Sequence, residues 1–119
     1  MRPSTQIMYI ENKGDDGLTG SARIGRVKFS KSGKSLHYQG KIFETLKGSG
    51  FKSNFFDVVT GEHYWISGCR KDGRNALYST KAEIDDDVRE EYWLAIRNLP
   101  ENLNISSIKV SSKYWAIHT

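Results

Sequence analysis

Between residues 22 and 29 the chain reads "ARIGRVKF", and this two-residue alternation constrains the fold more than any other feature. Val27 and Phe29 share one parity while Arg26 and Lys28 share the other. A strand here therefore buries one face and wets the other. Turn formers then break the chain at intervals of about 8–14 residues, in "KGDDGLTG", "KSGK", "KGSG", "TGE" and "KDGR". Such spacing fits short antiparallel strands and leaves no room for long helices in the first two thirds of the chain.

The segments between the breaks are rich in aromatic and β-branched residues. "QIMYIEN" reads as a first strand, and "FKSNFFDVV", "HYWISGCR" and "NALYS" as later ones. "SLHYQGKIFETL" reads as one return strand, with Leu36 and Tyr38 on one face and His37 and Gln39 on the other. Gly40 inside it predicts a bulge, which would turn Phe43 inward. Asp72-Gly73 carries a two-residue hairpin signal.

The period changes in "EIDDDVREEYWLAIRNLP". Val88, Tyr92, Ile96 and Leu99 fall at helical spacing, predicting a helix over about 86–98. The three aspartates suit its first turn, as caps and as complements to its dipole. Pro100 closes it. In the tail, Ile108, Val110, Tyr114, Trp115 and Ile117 suit either a further strand or a docked extension. The expected fold is α+β and mainly antiparallel β. It is a small bent sheet or barrel of about five to six strands with one helix packed across it. A chain of 119 residues makes one domain, 1–119. Residues 1–7 are expected to form an N-terminal extension and residues 100–119 a tail.

Composition excludes several classes. Hydrophobic residues are 37% and charged ones 27%, as in ordinary soluble domains. No apolar run approaches the roughly 18 residues of a membrane helix. "MRPSTQIMYIENK" lacks the apolar core of a secretory signal, so a cytoplasmic location and no membrane partner are expected. The single cysteine, Cys69, cannot form an internal disulfide.

Catalytic signals are weak. Cys69 with His37 or His63 is a conceivable nucleophile–base pair, but a lone cysteine on a strand is more often a small buried hydrophobe. His37, His63, His118 and Cys69 lack metal-ligand spacing, so no metal and no cofactor are expected. "GSGFKS" leads into a strand, not a helix, and is read as a turn rather than a phosphate loop. Asp57, Glu62 and Glu44 fit the polar positions of a hairpin better than an acid–base pair.

Charge is unevenly spread. Residues 1–81 carry 14 basic against 7 acidic side chains, whereas residues 82–99 carry 2 against 6. The basic body draws acidic partners, unless the acidic segment folds back and neutralises it. Arg23, Arg26, Lys28, Lys31, Lys34 and Lys41 crowd one hairpin. With fourteen Phe, Tyr and Trp in so short a chain, some rings are expected at the surface, Trp65 and Trp93 among them; the alternative is two-sided burial, one ring under the sheet and one under the helix or the tail. These eight residues form the candidate binding surface. Two partner classes fit it. One is another protein, anchored by exposed aromatic rings. The other is single-stranded nucleic acid, held by phosphate neutralisation and base stacking. Period two puts Tyr38 on the apolar parity, away from the basic residues, so the lysines read as a solvated edge that discourages strand-to-strand pairing more than as a grip on nucleic acid.

The run "YIENK … ARIGRVKFSKSGKSLHYQGK … NFFDVVTGEHYWISGCRKDGRNALY … IDDDVREEYW … IR" resembles a group of small uncharacterised bacterial proteins. The likeness spans roughly residues 8–99. It implies a one-domain bacterial protein and brings no activity and no functional residue with it. In size and in lacking a catalytic signature the chain is similar in type to toxin-neutralising immunity proteins.

Overall fold

The structure, a computed structural model, describes residues 4–14, 21–46, 53–75 and 80–110. Six strands close into an antiparallel barrel. They are β1 (Thr5–Gly14), β2 (Ala22–Phe29), β3 (Ser35–Tyr38), β4 (Lys41–Thr45), β5 (Phe55–Asp57) and β6 (His63–Gly68). The order round the barrel is β1-β6-β5-β4-β3-β2, and β2 returns to β1. Two more strands extend it: β7 (Thr80–Ile84) runs parallel to β2, and β8 (Ser107–Val110) is antiparallel to β7. Among the described residues no helix is long and apolar enough to cross a membrane.

The alternation on β1 explains the layering. Met8 and Ile10 point into the barrel, where they meet Val27, Leu36, Tyr38, Phe43, Tyr64 and Ile66. Ile7 and Tyr9 point outward and are equally buried, because β7, β8 and the helical segment cover that side. Two cores therefore lie back to back across β1 and β2. Phe43 is fully buried with Tyr64 edge-on at 4.6 Å between ring centroids. Cutting such a ring to alanine costs about 3–5 kcal/mol.

β2 has a divided edge. Its C-terminal end, Lys28 and Phe29, pairs with β3, while its N-terminal end, Arg23 and Ile24, pairs with β7. The barrel is thus parted between β2 and β3, and the end of β7 enters the gap.

The mainly antiparallel barrel with one helical segment matches the expectation, and several details differ. "SLHYQGKIFETL" is not one strand. Tyr38 pairs with Lys41, and Gln39 and Gly40 form a two-residue turn with φ of 49° and 79°. Positive φ at both centres is the hairpin geometry whose twist suits the flanking strands. Phe43 faces inward because the chain reverses, not because of a bulge. Thr5–Ile7 belong to β1, and Ile7 is part of the outer core, so the expected extension does not include them. Asp72-Gly73 makes a turn closed by the Gly73 N–H on the Arg70 carbonyl, but the next described strand, β7, leaves β6 for β2. Most of "NALYS" lies outside the described residues, as do Tyr114, Trp115 and Ile117.

The helical segment is real but irregular. A 3₁₀ turn (Asp86–Val88) leads into one α turn (Arg89–Glu91) and then a wide π turn (Tyr92–Ile96). The Arg97 N–H reaches the Tyr92 carbonyl at 3.0 Å, five residues back. Widening the turn lets the consecutive rings of Tyr92 and Trp93 both reach the core, 0% and 2% exposed. Asn98, at φ 54°, ends the run in the left-handed region that asparagine tolerates.

Candidate functional site

The six basic residues of the hairpin do not act as one surface. Arg23 and Arg26 are tied to the acidic segment. Asp85 accepts from Arg23 Nε at 2.7 Å and from a terminal nitrogen at 2.6 Å. Arg26 lies 2.9 Å from Glu91 on the helical segment. The acidic stretch has folded back on the basic body, and the two arginines hold it there. Asp85 does not cap the helical segment; its oxygens are engaged elsewhere.

Asp85 also joins the two sides of the parted barrel. Its second oxygen accepts the Tyr38 hydroxyl at 2.6 Å. Burial, and then the carboxylate beside it, push the Tyr38 phenol above its ordinary range. Donation to the Asp85 carboxylate likewise raises Arg23, which stays charged. Gly25 makes this closure possible. A Cβ there would stand 2.5 Å from Tyr38 Cε1 and would overlap the Asp85 carboxylate.

Lys28, Lys31 and Lys34 are exposed, and no carboxylate among the described residues pairs with their ammonium groups. Lys41 lies 3.7 Å from Asp57. Trp65 and Trp93 are not surface anchors. Trp93 is 2% exposed and donates its indole N–H to the Ile105 carbonyl at 2.9 Å. Trp65 is half-buried against the outer core and donates to the Asn75 carbonyl at 3.2 Å. Both indoles are drawn in because the outer face of β1 and β6 forms a second core, so burial on two sides takes up the rings expected at the surface.

The outer face of β3, β4 and β5 presents a different surface. Register places Lys28, His37 and Ile42 side by side across β2, β3 and β4, and the Val58 N–H bonds the Ile42 carbonyl next to them. Ile42 and Val58 are 38% and 39% exposed, and Val59 is 85% exposed. The turn that carries the valines is rigid. Asp57 Oδ1 accepts the N–H of Val59 at 2.8 Å and that of Thr60 at 3.3 Å, and Gly61 takes φ 79°. Burial acts to raise the Asp57 pKa, but these N–H groups and Lys41 outweigh it and hold the carboxyl below its usual range. Sequence reasoning took "FKSNFFDVV" as one strand and so overlooked the valines. Their signal is an Asp–Val–Val–Thr–Gly turn, apolar where turns are normally polar.

The chemistry weighed for catalysis does not assemble. Burial pushes the Cys69 thiol up to about 12, with Arg97 opposing, so it is a thiol at neutral pH. Asp57 is committed to its turn, and Glu62 faces the Thr60 hydroxyl instead of Asp57. Ser53 Oγ is 3.4 Å from His63 Nδ1, and no carboxylate among the described residues orients that ring. Among the described residues no group of His, Cys, Asp and Glu is placed to hold a metal ion. Comparison with family models, with curated proteins and with solved structures finds no match to the chain.

Proposed function

We propose that this protein is a non-enzymatic binding module of the immunity or regulatory type, and that its partner is another protein with an acidic surface around an apolar patch. The partner docks on the outer face of β3, β4 and β5. Val59, 85% exposed at the tip of a rigid turn beside Ile42 and Val58, is the observation that carries this reading. A large apolar side chain held out by a fixed backbone has already lost most of its conformational entropy, so burying it on a partner is favourable. Lys28 beside His37 and Ile42, and Lys31 and Lys34 in the adjoining turn, supply positive charge with no carboxylate partner among the described residues, which steers an acidic partner and sets its register.

The test is capture of a bacterial lysate protein on the immobilised chain, with and without nuclease, against two variants. The joint substitution Ile42→Glu and Val59→Glu removes the apolar patch. Arg26→Gln breaks an ion pair on the covered side. A protein retained by the parent and by Arg26→Gln after nuclease, but lost from the double variant, is the expected result. Capture that disappears with nuclease would transfer the surface to nucleic acid, and capture indifferent to Ile42 and Val59 would end the proposal.

A further inference from the structure

The barrel has an open mouth at the end where β3 turns into β4. A cavity of about 130 Å³ lies there. Ile10 and Phe43 make its apolar floor, 3% and 0% exposed. Asn12, Arg23, Lys41 and Tyr64 stand round its rim. Among the described residues that line it, two are cations and none is a carboxylate. Asp85 and Asp57, which pair with those cations, lie outside the lining.

The two cations differ in how they are held. Arg23 is fixed: Asp85 grips one edge of its guanidinium, and Tyr38 holds Asp85. A guanidinium has five N–H donors in a rigid fork, so donors remain for a second acceptor. Lys41 is loosely held. Its 3.7 Å from Asp57 is well beyond the roughly 2.7–2.9 Å of a charge-assisted hydrogen bond. The Val59 and Thr60 amides hold the other oxygen of Asp57, Oδ1, which fixes the carboxylate in its turn at that distance from Lys41. A fixed fork and an under-used ammonium over an apolar floor match an anion with a hydrophobic body. At roughly 30 Å³ per water the cavity equals about four waters, enough for about five to seven non-hydrogen atoms.

We propose that the barrel mouth binds a carboxylate on a short branched or linear apolar stem, with Arg23 and Lys41 on the carboxylate and Ile10 and Phe43 under the stem. A free small organic acid and the C-terminal residue of a peptide share this chemistry. The site is separate from the outer face of β3–β5, and neither proposal depends on the other.

The test is an amide-resolved NMR titration of the whole chain at neutral pH with four probes. They are 3-methylbutanoate, its neutral amide, and acetyl-Gly-Gly-Val with a free or an amidated C-terminus. Saturable shifts at Asn12, Lys41 and Tyr64 are expected with an acid. The corresponding amide should bind about tenfold more weakly, the size of one lost charge-assisted hydrogen bond. Lys41→Gln should weaken the acid by a similar factor, and Lys109→Gln, on the exposed face of β8, should leave it unchanged. Tighter binding of the free peptide marks a protein C-terminus as the source, and tighter binding of the butanoate marks a small metabolite; parity supports the shared chemistry. The comparison of acid with amide uses the parent chain, so it holds even where a variant fails to fold. No saturable shift with either acid, or amides that bind as well as acids, overturns the proposal.

Discussion

The most demanding prediction concerns two charges inside the fold. Glu11 and Lys13 lie two residues apart on β1, with side chains 0% exposed, and their oxygen and nitrogen are 2.9 Å apart. Glu11 also accepts the Tyr9 hydroxyl at 2.6 Å. Removing one member of a buried pair breaks this contact and leaves the other charge under-compensated, at a cost of about 3–5 kcal/mol. That is a large share of the ~5–15 kcal/mol that holds a domain together. In a chain of this length it corresponds to a fall in Tm of about 10–20 °C. Glu11→Gln and Lys13→Met should each lose this much. The double variant should be more stable than either single one, because both charges are then gone and the Gln oxygen still accepts from Tyr9. Urea unfolding followed by tryptophan fluorescence reads it, since Trp93 is buried against the same core. Coupling between the two sites of more than about 1.5 kcal/mol is expected from a contacting pair. Strict additivity, or single variants within about 0.5 kcal/mol of the parent, the range of ordinary surface changes, would refute the reasoning.

Three further outcomes follow from the same structure. Gly25→Ala forces a methyl group against Tyr38 and Asp85, so the urea midpoint should fall by the equivalent of about 1–3 kcal/mol; an unchanged midpoint would mean the gap between β2 and β3 is looser than drawn. Burial raises the phenols of Tyr9, Tyr38, Tyr64 and Tyr92 above the ordinary 10.0. The fold thus favours their neutral forms, and stability should be intact below pH 10 and decline as pH rises beyond it. Tyrosinate absorbance should rise together with loss of the circular dichroism signal, and smooth ionisation of every tyrosine near 10 in a folded chain would contradict this. Cys69, its thiol pushed up to about 12, should label slowly with a thiol reagent at neutral pH and quickly in denaturant; rapid native labelling would reopen it as a nucleophile.

Much of the architecture was legible because it follows from local period. Alternation at Val27 and Phe29, the aromatic strands, and the change to helical spacing at Val88, Tyr92 and Ile96 each state which face is buried. What sequence reading missed has three physical sources. One is the turn at Gln39-Gly40: glutamine rarely adopts positive φ, so the pair lacks the asparagine or aspartate that announces such a turn. Another is the double burial of β1. In "YIENK" Tyr9, Glu11 and Lys13 share one parity and Ile10 and Asn12 the other, so neither face reads as apolar, and only tertiary packing brings Glu11 and Lys13 together in a second core. The third is the parallel pairing of β7 with β2, a contact between residues far apart in the chain that no local pattern specifies.

The same back-to-back arrangement decides where binding can occur. β1, β2 and β6 are covered on the outside by β7, β8 and the helical segment, and the ion pairs Arg23–Asp85 and Arg26–Glu91 close that cover. The chain's own acidic stretch ties both arginines to the cover, and Arg23 keeps only its free edge at the barrel mouth. Of the hairpin's remaining cations, Lys41 stands at the barrel mouth, and Lys31 and Lys34 are exposed in the β2–β3 turn. Lys28 lies beside His37 and Ile42 on the side of the barrel that the cover does not reach. There the turn at Val58 and Val59 is held out by Asp57 in place of a neighbouring element. An ordinary barrel would put threonine, serine or lysine at such a tip, where they are well solvated and break no backbone geometry. Two valines on a turn fixed by three structural devices, the Asp57 carboxylate, the left-handed Gly61 and the Val58–Ile42 hydrogen bond, contribute nothing to either core. Replacing Val58 and Val59 by threonine should therefore leave the urea midpoint within about 0.5 kcal/mol of the parent while weakening partner capture. A fall of stability instead would show that the valines serve the fold.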